Sequence, residues 1–592
     1  MPTPFRYAAL AAAWLLILAV APVASRAQDG PPGMPSARPA PIPSQMARLL
    51  PVLGRDGMVS SQEGRATRVG LDILQRGGNA VDAAVAVHFA LAVTLPQAGN
   101  LGGGGFMLIH RAGTDRERSE TIAVDYRETA PAKATRDMFL LPSGEPDPAK
   151  SRDTGLSVGV PGSVAGMAFA LERYGSGRFT LAQLIEPAER LAREGFVVED
   201  DLARSIRASG RLGRHEASRA VFYPNGEPVA AGETLVQRDL AGTLAAIMKE
   251  GPRAFYEGPV AEKIAAAVKA AGGIMAPSDL AAYRPLLRQP VRGRYRGHEI
   301  VTMPPPSSGG VHLIQILNIL EGYDLAGLGA GSAAAYHLMA EAMKPAYADR
   351  AAWLGDPDRV KVPVSGLTSK AYAAKLRAAI DPDRARPAGE VAAGDPLPYE
   401  SAETTHFSIV DRDGNATSTT TTLNFSYGLG LVAAGTGVLL NNEMDDFAAK
   451  AGAVNAYGLV GGEPNTVAPG ARPLSSMTPT FLFRDGKLVL VTGSPGGSRI
   501  ITTVLQVILG VVDFGQNLAE AVTAPRIHHQ WRPDALLVET GLSPDTLSLL
   551  RAWGHKVVVG RTSGSANSVA VTEEGLAGAA DPRQRGTAAE GR

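Results

Sequence analysis

Thr404 stands in Glu403-Thr404-Thr405-His406-Phe407-Ser408, where a Pro-, Asp-, Ala- and Gly-rich stretch (381–403) gives way to strand-forming residues. A threonine at that junction also fits an ordinary strand position, because β-branched side chains suit a pleated sheet. An exposed linker that ends at a threonine is also what a self-released nucleophile requires. The hydroxyl attacks the preceding carbonyl and the ester hydrolyses. The freed α-amino group, with an ordinary pKa of about 7.7–8, then serves as base for its own hydroxyl.

Other chemistries find less support. No glycine loop ends in Gly-Lys-Ser/Thr, which excludes the common phosphate cradle of NTPases. No His-Glu-x-x-His pair occurs, and His528-His529 are adjacent, so on a regular element they point apart and suit packing better than a metal. Gly155-Leu156-Ser157-Val158-Gly159 fits the nucleophile-elbow pattern. That elbow needs an apolar strand before it and a helix after it. Ala149 to Thr154 is not such a strand, and Pro161-Gly162 follows at once, so a plain glycine-rich loop is the better reading.

The elements that would hold a site can be read around these points. Gly64 to Leu95 has helical spacing, broken at Gly77-Gly78-Asn79, and Phe106 to Ile109 is an apolar strand. From Ser163 to Ile380 the pattern predicts mostly alanine-rich amphipathic helices, such as Leu181–Arg193, with a kink at Pro187, and Ala261–Ala271. Pro304 to Gly310 reads as a rigid loop, and 381–403 as an exposed linker. Two hairpins follow, turning at Asp413-Gly414 and Asp485-Gly486. A helix carrying Ile500, Ile501, Val504, Leu505 and Ile508 comes after the second. This mixture predicts layered α/β packing.

The chain has 592 residues, 58 basic and 58 acidic side chains, and no cysteine. Zero net charge argues against nucleic acid as a partner. Without cysteine there are no disulfides, thiolate metal sites or cysteine nucleophile. Arg6, the apolar run Ala8–Ala21 and Ser25-Arg26-Ala27 predict an export signal over 1–27. Six prolines make 28–45 a stiff spacer, so the folded protein is expected from Met46. No later stretch is long and apolar enough to span a bilayer. The expected location is periplasmic or secreted.

Four segments resemble the signatures of the γ-glutamyltransferase (γ-glutamyltranspeptidase) family of N-terminal-nucleophile hydrolases, in its bacterial form with a lid loop. They are Glu403–His406, Asn441-Asn442-Glu443-Met444-Asp445-Asp446-Phe447, Arg472-Pro473-Leu474-Ser475-Ser476-Met477 and Gly493–Arg499. The likeness runs from about residue 46 to about 580.

This resemblance implies a four-layer αββα sandwich. One precursor would yield a heterodimer, with a large subunit over 46–403 and a small one over 404–592, cut between Glu403 and Thr404. Thr404 would take the γ-glutamyl group of glutathione or related compounds and pass it to amino acids, dipeptides or water. No metal or organic cofactor is implied. Arg127 would bind the substrate α-carboxylate with its planar fork of donors, helped by Ser475 and Ser476. Asn424, Glu443 and Asp446 would receive the α-ammonium, and Asp445 would be structural. Gly496 and Gly497 would form the oxyanion hole, with the following helix dipole behind them. Thr422 would orient the nucleophile, and Tyr457, in the insertion between Lys450 and Gly462, would sit on the lid. Alternatives are a cephalosporin or glutaryl acylase of the same superfamily, and an exported binding protein that kept the fold but lost the chemistry.

Overall fold

The computed structural model describes residues 49–113, 118–396, 406–560, 564–584 and 586–592. Thr404 and Glu403, the proposed signal and the spacer lie outside the described residues.

Two seven-stranded sheets organise the chain. In chain order their strands are β1 (Val52–Gly54), β2 (Gly57–Ser61), β3 (Gly104–Arg111), β4 (Glu120–Tyr126), β5 (Leu286–Arg288), β6 (Val291–Tyr295) and β7 (His298–Thr302). Then come β8 (Phe407–Asp411), β9 (Ala416–Thr422), β10 (Thr480–Arg484), β11 (Lys487–Thr492), β12 (Asn567–Thr572), β13 (Gly575–Ala580) and β14 (Ala588–Gly591). The first sheet runs β14-β2-β8-β9-β3-β4-β5, and the second β1-β13-β12-β11-β10-β7-β6. Each sheet therefore interleaves strands from both sides of residue 404.

Both Asp-Gly turns form as the sequence predicts. Gly414 and Gly486 adopt φ of 83° and 76°, which a residue with a Cβ adopts poorly. The first turn joins β8 to the threonine-rich β9, with Phe407 opposite Thr419. The whole of β9 then pairs with β3, down to Thr422 opposite Gly104.

Four layers result. Between the sheets lie Met58, Phe106 and Leu108 of one and Val301, Phe481 and Val491 of the other. Outside the first sheet pack α1 (Gly64–Gln75) and α2 (Ala80–Thr94). All of α2 is buried, which its small residues permit. Its start is fixed by a capping box between Asn79 and Asp82, a device that stabilises a helix end by about 1 kcal/mol. Outside the second sheet pack α3 (Gly309–Leu320), α4 (Ala333–Trp353) and α5 (Ile500–Val512). The fold is the αββα sandwich.

Three details differ from the sequence reading. Leu286–Thr302 interrupts the helical middle with β5, β6 and β7. Gly309 and Gly310 belong to α3 and not to the proline-rich loop. The described part of the linker is gripped, with Ala385, Ala388 and Val391 buried. Trp531 Nε1 donates to Ala388 O (3.0 Å) and Val391 O (2.9 Å), and Trp353 Nε1 to Gly394 O (3.1 Å). The stretch reads as a linker because it is polar and proline-rich. It is held through its backbone, which composition does not report.

Gly155–Ser157 is a single 3-10 turn after the helix Pro148–Arg152, and Ser157 is buried, so no elbow is built there. Leu181–Glu194 is one helix containing Pro187.

Candidate active site

A cavity of about 500 Å³ opens where β9, the loop after β11 and the 442–476 segment meet. Thr422, Asn424, Glu443, Asp446, Tyr457, Ser475, Ser476, Gly496 and Gly497 all line it. The chain thus gathers into one wall residues that the sequence reading took from separate segments.

Arg127, just after β4, is fully buried behind this wall. Its Nε donates to Pro473 O (3.1 Å), Nη2 to Asp446 Oδ2 (2.7 Å) and Nη1, in a short bond, to Glu443 Oε1. Glu128 Oε2 lies 3.6 Å from Nη1. One guanidinium therefore faces three carboxylates. Burial pushes the Glu443 carboxyl well above the carboxylate range, although Arg127 pulls the other way. Burial likewise lifts Glu128, which has no hydrogen-bond partner among the described residues, to about 7.

Two further acceptors beside this centre are unsatisfied. Glu443 Oε2 and Asn424 Oδ1 are buried and accept no hydrogen bond among the described residues. Leaving such an atom unpaired costs about 1–3 kcal/mol, which a donor supplied by a ligand would recover. Asn424 is held in place by Nδ2 donating to Asn442 O (2.8 Å) and by its backbone N donating to Thr422 Oγ1 (2.7 Å). Its φ of 72° is a left-handed conformation that asparagine tolerates better than most residues. Thr422 ends β9, three pairs beyond the partner of Phe407.

The serine pair is set by the opposite helix layer. Ser308 Oγ donates to Ser475 O (3.0 Å) and accepts from Arg350 Nε (2.8 Å), and Arg350 Nη2 reaches Ser476 Oγ at 3.5 Å. Gly496 and Gly497 have φ of 134° and 57°. A Cβ on Gly497 would stand 2.7 Å from the Tyr457 ring. The tyrosine hydroxyl donates to Asn424 O (2.5 Å), so the 450–462 insertion lies over the glycine turn. Asp445 accepts from Ser151 Oγ (2.6 Å), Arg152 Nε (3.1 Å) and Ala456 N (3.1 Å), a structural arrangement.

Residues 66–591 match the family model described as Gamma-glutamyltranspeptidase. The chain belongs to the gamma-glutamyltranspeptidase family. It is 54% identical over 536 residues to a glutathione hydrolase proenzyme of Escherichia coli (strain K12), across 90% of this chain and 91% of that one. It is 40% identical over 564 residues to the Acylase ACY 1 proenzyme of Pseudomonas sp. (strain SE83), across 93% and 96%. Among solved structures it resembles cephalosporin acylase from Bacillus halodurans, with a TM-score of 0.80 at 27% identity over 94% of this chain and 99% of that one.

Within this gamma-glutamyltranspeptidase fold, the sequence reading passed over three buried side chains that shape the site. Asn441 Oδ1 accepts from Glu443 N (3.0 Å) and Gly159 N (2.9 Å), while its Nδ2 donates to Gly102 O and Gly159 O. Asn100 Nδ2 donates to Thr422 O (2.8 Å). His406 bonds Ser408 Oγ and Ser418 Oγ, and burial lowers its pKa to about 3, so it is neutral. For Asn441 the available signal was its place beside the acidic run. For Asn100 there was none beyond the glycines that follow.

The adjacent histidines serve packing. His528 bonds Thr502 Oγ1 and Gln530 Oε1, while His529 accepts from Trp531 N. A cluster with metal-ligand side chains, His337, Glu341 and His555, is used internally. His337 Nδ1 and His555 Nε2 share a 2.8 Å bond, and Lys344 Nζ sits on Glu341 Oε1. The lysine already supplies the positive charge a cation would bring.

Proposed function

We propose that the chain is an exported precursor that cleaves itself before Thr404 and then acts as a γ-glutamyltransferase and glutathione hydrolase. Residues 46–403 and 404–592 become the two subunits. Thr404 Oγ attacks the γ-carbonyl of glutathione or a related donor, and the amine leaves with a proton. The resulting ester passes its acyl group to an amino acid, a dipeptide or water. Export to the periplasm or beyond is supported by the 1–27 segment. Among the described residues no helix is long and apolar enough to cross a membrane.

The observation that carries this reading is the charge pattern around Arg127. An α-amino-acid head has both charges. Inserted between Arg127 and its acidic partners, its carboxylate takes the guanidinium and its ammonium takes Glu443, Asp446 and Asn424. No charge is left alone, and the two unsatisfied acceptors gain donors. Thr422 supports the nucleophile, and Gly496 and Gly497 receive the oxyanion. Ser475 and Ser476 add hydroxyl donors for the carboxylate.

The acylase alternative takes a donor without the ammonium. A glutaryl group would leave Glu443 Oε2 and Asn424 Oδ1 unpaired, at a cost of about 1–3 kcal/mol each. The first experiment is intact mass of the wild type beside Thr404→Ala. Two chains in the wild type, the smaller starting at Thr404, and one in the variant are expected. A single chain in both would defeat the reading and favour a binding protein. Rates on γ-glutamyl and glutaryl anilides then separate transferase from acylase.

A further inference from the structure

We propose that Asn455 is a positioning residue that ties the lid to the ammonium-binding carboxylate and thereby sets how the acyl-enzyme divides between water and an amine. The proposal rests on the function proposed above. Asn455 opens the lid tip, where its N donates to Leu459 O (3.0 Å). Its side-chain Oδ1 accepts from Tyr457 N (3.0 Å) and Leu459 N (3.2 Å). Its Nδ2 points the other way and donates to Asp446 Oδ1 (3.2 Å). One amide group thus has its acceptor end in the turn and its donor end on the carboxylate. The other oxygen of Asp446 is the one that pairs with Arg127.

Two residues further on, Tyr457 lies against Gly497 and bonds Asn424 O. The ring over the oxyanion glycine is therefore indexed to Asp446 through a single side chain. When an ammonium draws Asp446 away from Arg127, the lid tip follows it. In the acyl-enzyme the γ-carbonyl carbon is bonded to Thr404 Oγ. Water attacks it to release glutamate, or an amine attacks to form a new amide. In both cases the nucleophile loses one proton and Thr404 regains its hydroxyl hydrogen. A lid held in place restricts water, so the Asn455 link favours the amine route.

Asn455→Asp is the sharpest test. It keeps the shape and the acceptor for the turn, but sets a carboxylate against Asp446, where two negative charges repel. Asn455→Ala removes both ends. Each mature enzyme is assayed with a γ-glutamyl anilide, with and without glycylglycine, and free glutamate is measured against γ-glutamylglycylglycine. Both variants are expected to self-cleave as the wild type does. Asn455→Ala raises the hydrolysis-to-transfer ratio about threefold, and Asn455→Asp about tenfold, with a higher donor KM and anilide-release kcat within about twofold. A partition and KM for Asn455→Asp equal to the wild type, or equal to Asn455→Ala, would overturn the proposal. So would failure of Asn455→Asp to mature, which would make the residue a folding element. A wild type that neither cleaves nor releases anilide would remove the parent reading as well.

Discussion

Arg127 donates through Nη2 to Oδ2 of Asp446 across 2.7 Å, with the arginine fully buried and the aspartate on the cavity wall. The same guanidinium also reaches Glu443 and Pro473 O. These donations leave from three separate nitrogens of a rigid planar fork, a spread that an ammonium, whose three donors radiate from one nitrogen, does not reach.

Arg127→Lys therefore keeps the charge but loses the geometry. The lysine reaches one carboxylate and leaves the other, with Pro473 O, short of a donor. Donor KM rises by at least about tenfold, an energy of about 1.4 kcal/mol, while the folded sandwich persists. Initial rates against donor concentration read this directly. An unchanged KM would mean that the donor carboxylate is bound elsewhere.

Gly497 and Tyr457 form a pair that a double-mutant cycle can resolve. Gly497→Ala has to place its Cβ 2.7 Å from the tyrosine ring at a φ of 57°. The ring is displaced, the turn shifts, and kcat/KM falls by about 100-fold. Tyr457→Ala alone leaves self-cleavage intact and raises the share of hydrolysis. In that background Gly497→Ala meets no ring, so its effect shrinks to the strain of the backbone alone. Strictly additive losses would show that the contact carries no coupling.

The hairpins at Asp413-Gly414 and Asp485-Gly486 were legible because turn chemistry and strand composition are local. The glycine turn and the serine pair were legible as motifs, and the structure brings them to one cavity. Leu286–Thr302 was not. Its edge strands carry Arg288, Arg292 and Arg294, Arg296 stands in the turn that follows, and the stretch lacks a long apolar run. The hydrogen bonds from Arg127 to Glu443 and Asp446 were invisible too, because those two partners lie more than 300 positions away and only the fold brings them together. The grip on 381–396 rests on side chains reaching backbone carbonyls and N–H groups, which leaves no compositional trace.

That grip makes a stability prediction. Trp531, held at a φ of 67°, aims one indole N–H at two carbonyls of the segment. Trp531→Phe keeps an aromatic side chain but deletes the donor together with part of the indole. The uncleaved Thr404→Ala protein loses about 1–2 kcal/mol, read from its urea midpoint at an unchanged slope. No shift in midpoint would mean that water replaces the indole at no cost.

Asp349 holds the far end of the same segment and should make stability depend on pH. Its Oδ1 accepts from Gly394 N (2.8 Å), and its Oδ2 from Gln315 Nε2 (2.6 Å) and Tyr372 Oη (2.8 Å). Burial outweighs these donors and lifts the carboxyl to about 6. In the unfolded chain the value is about 3.9. Between these values the folded protein keeps a proton that the unfolded chain has released. The associated stability is full below about pH 4 and is lost as the pH rises through about 6. Asp349→Asn exchanges no proton. Measured in the Thr404→Ala background, wild-type stability relative to Asp349→Asn falls by up to about 3 kcal/mol from pH 4 to pH 7. A difference that stays flat across this range would mean that the buried donors hold Asp349 ionised in both states, and the segment would then be gripped equally at every pH.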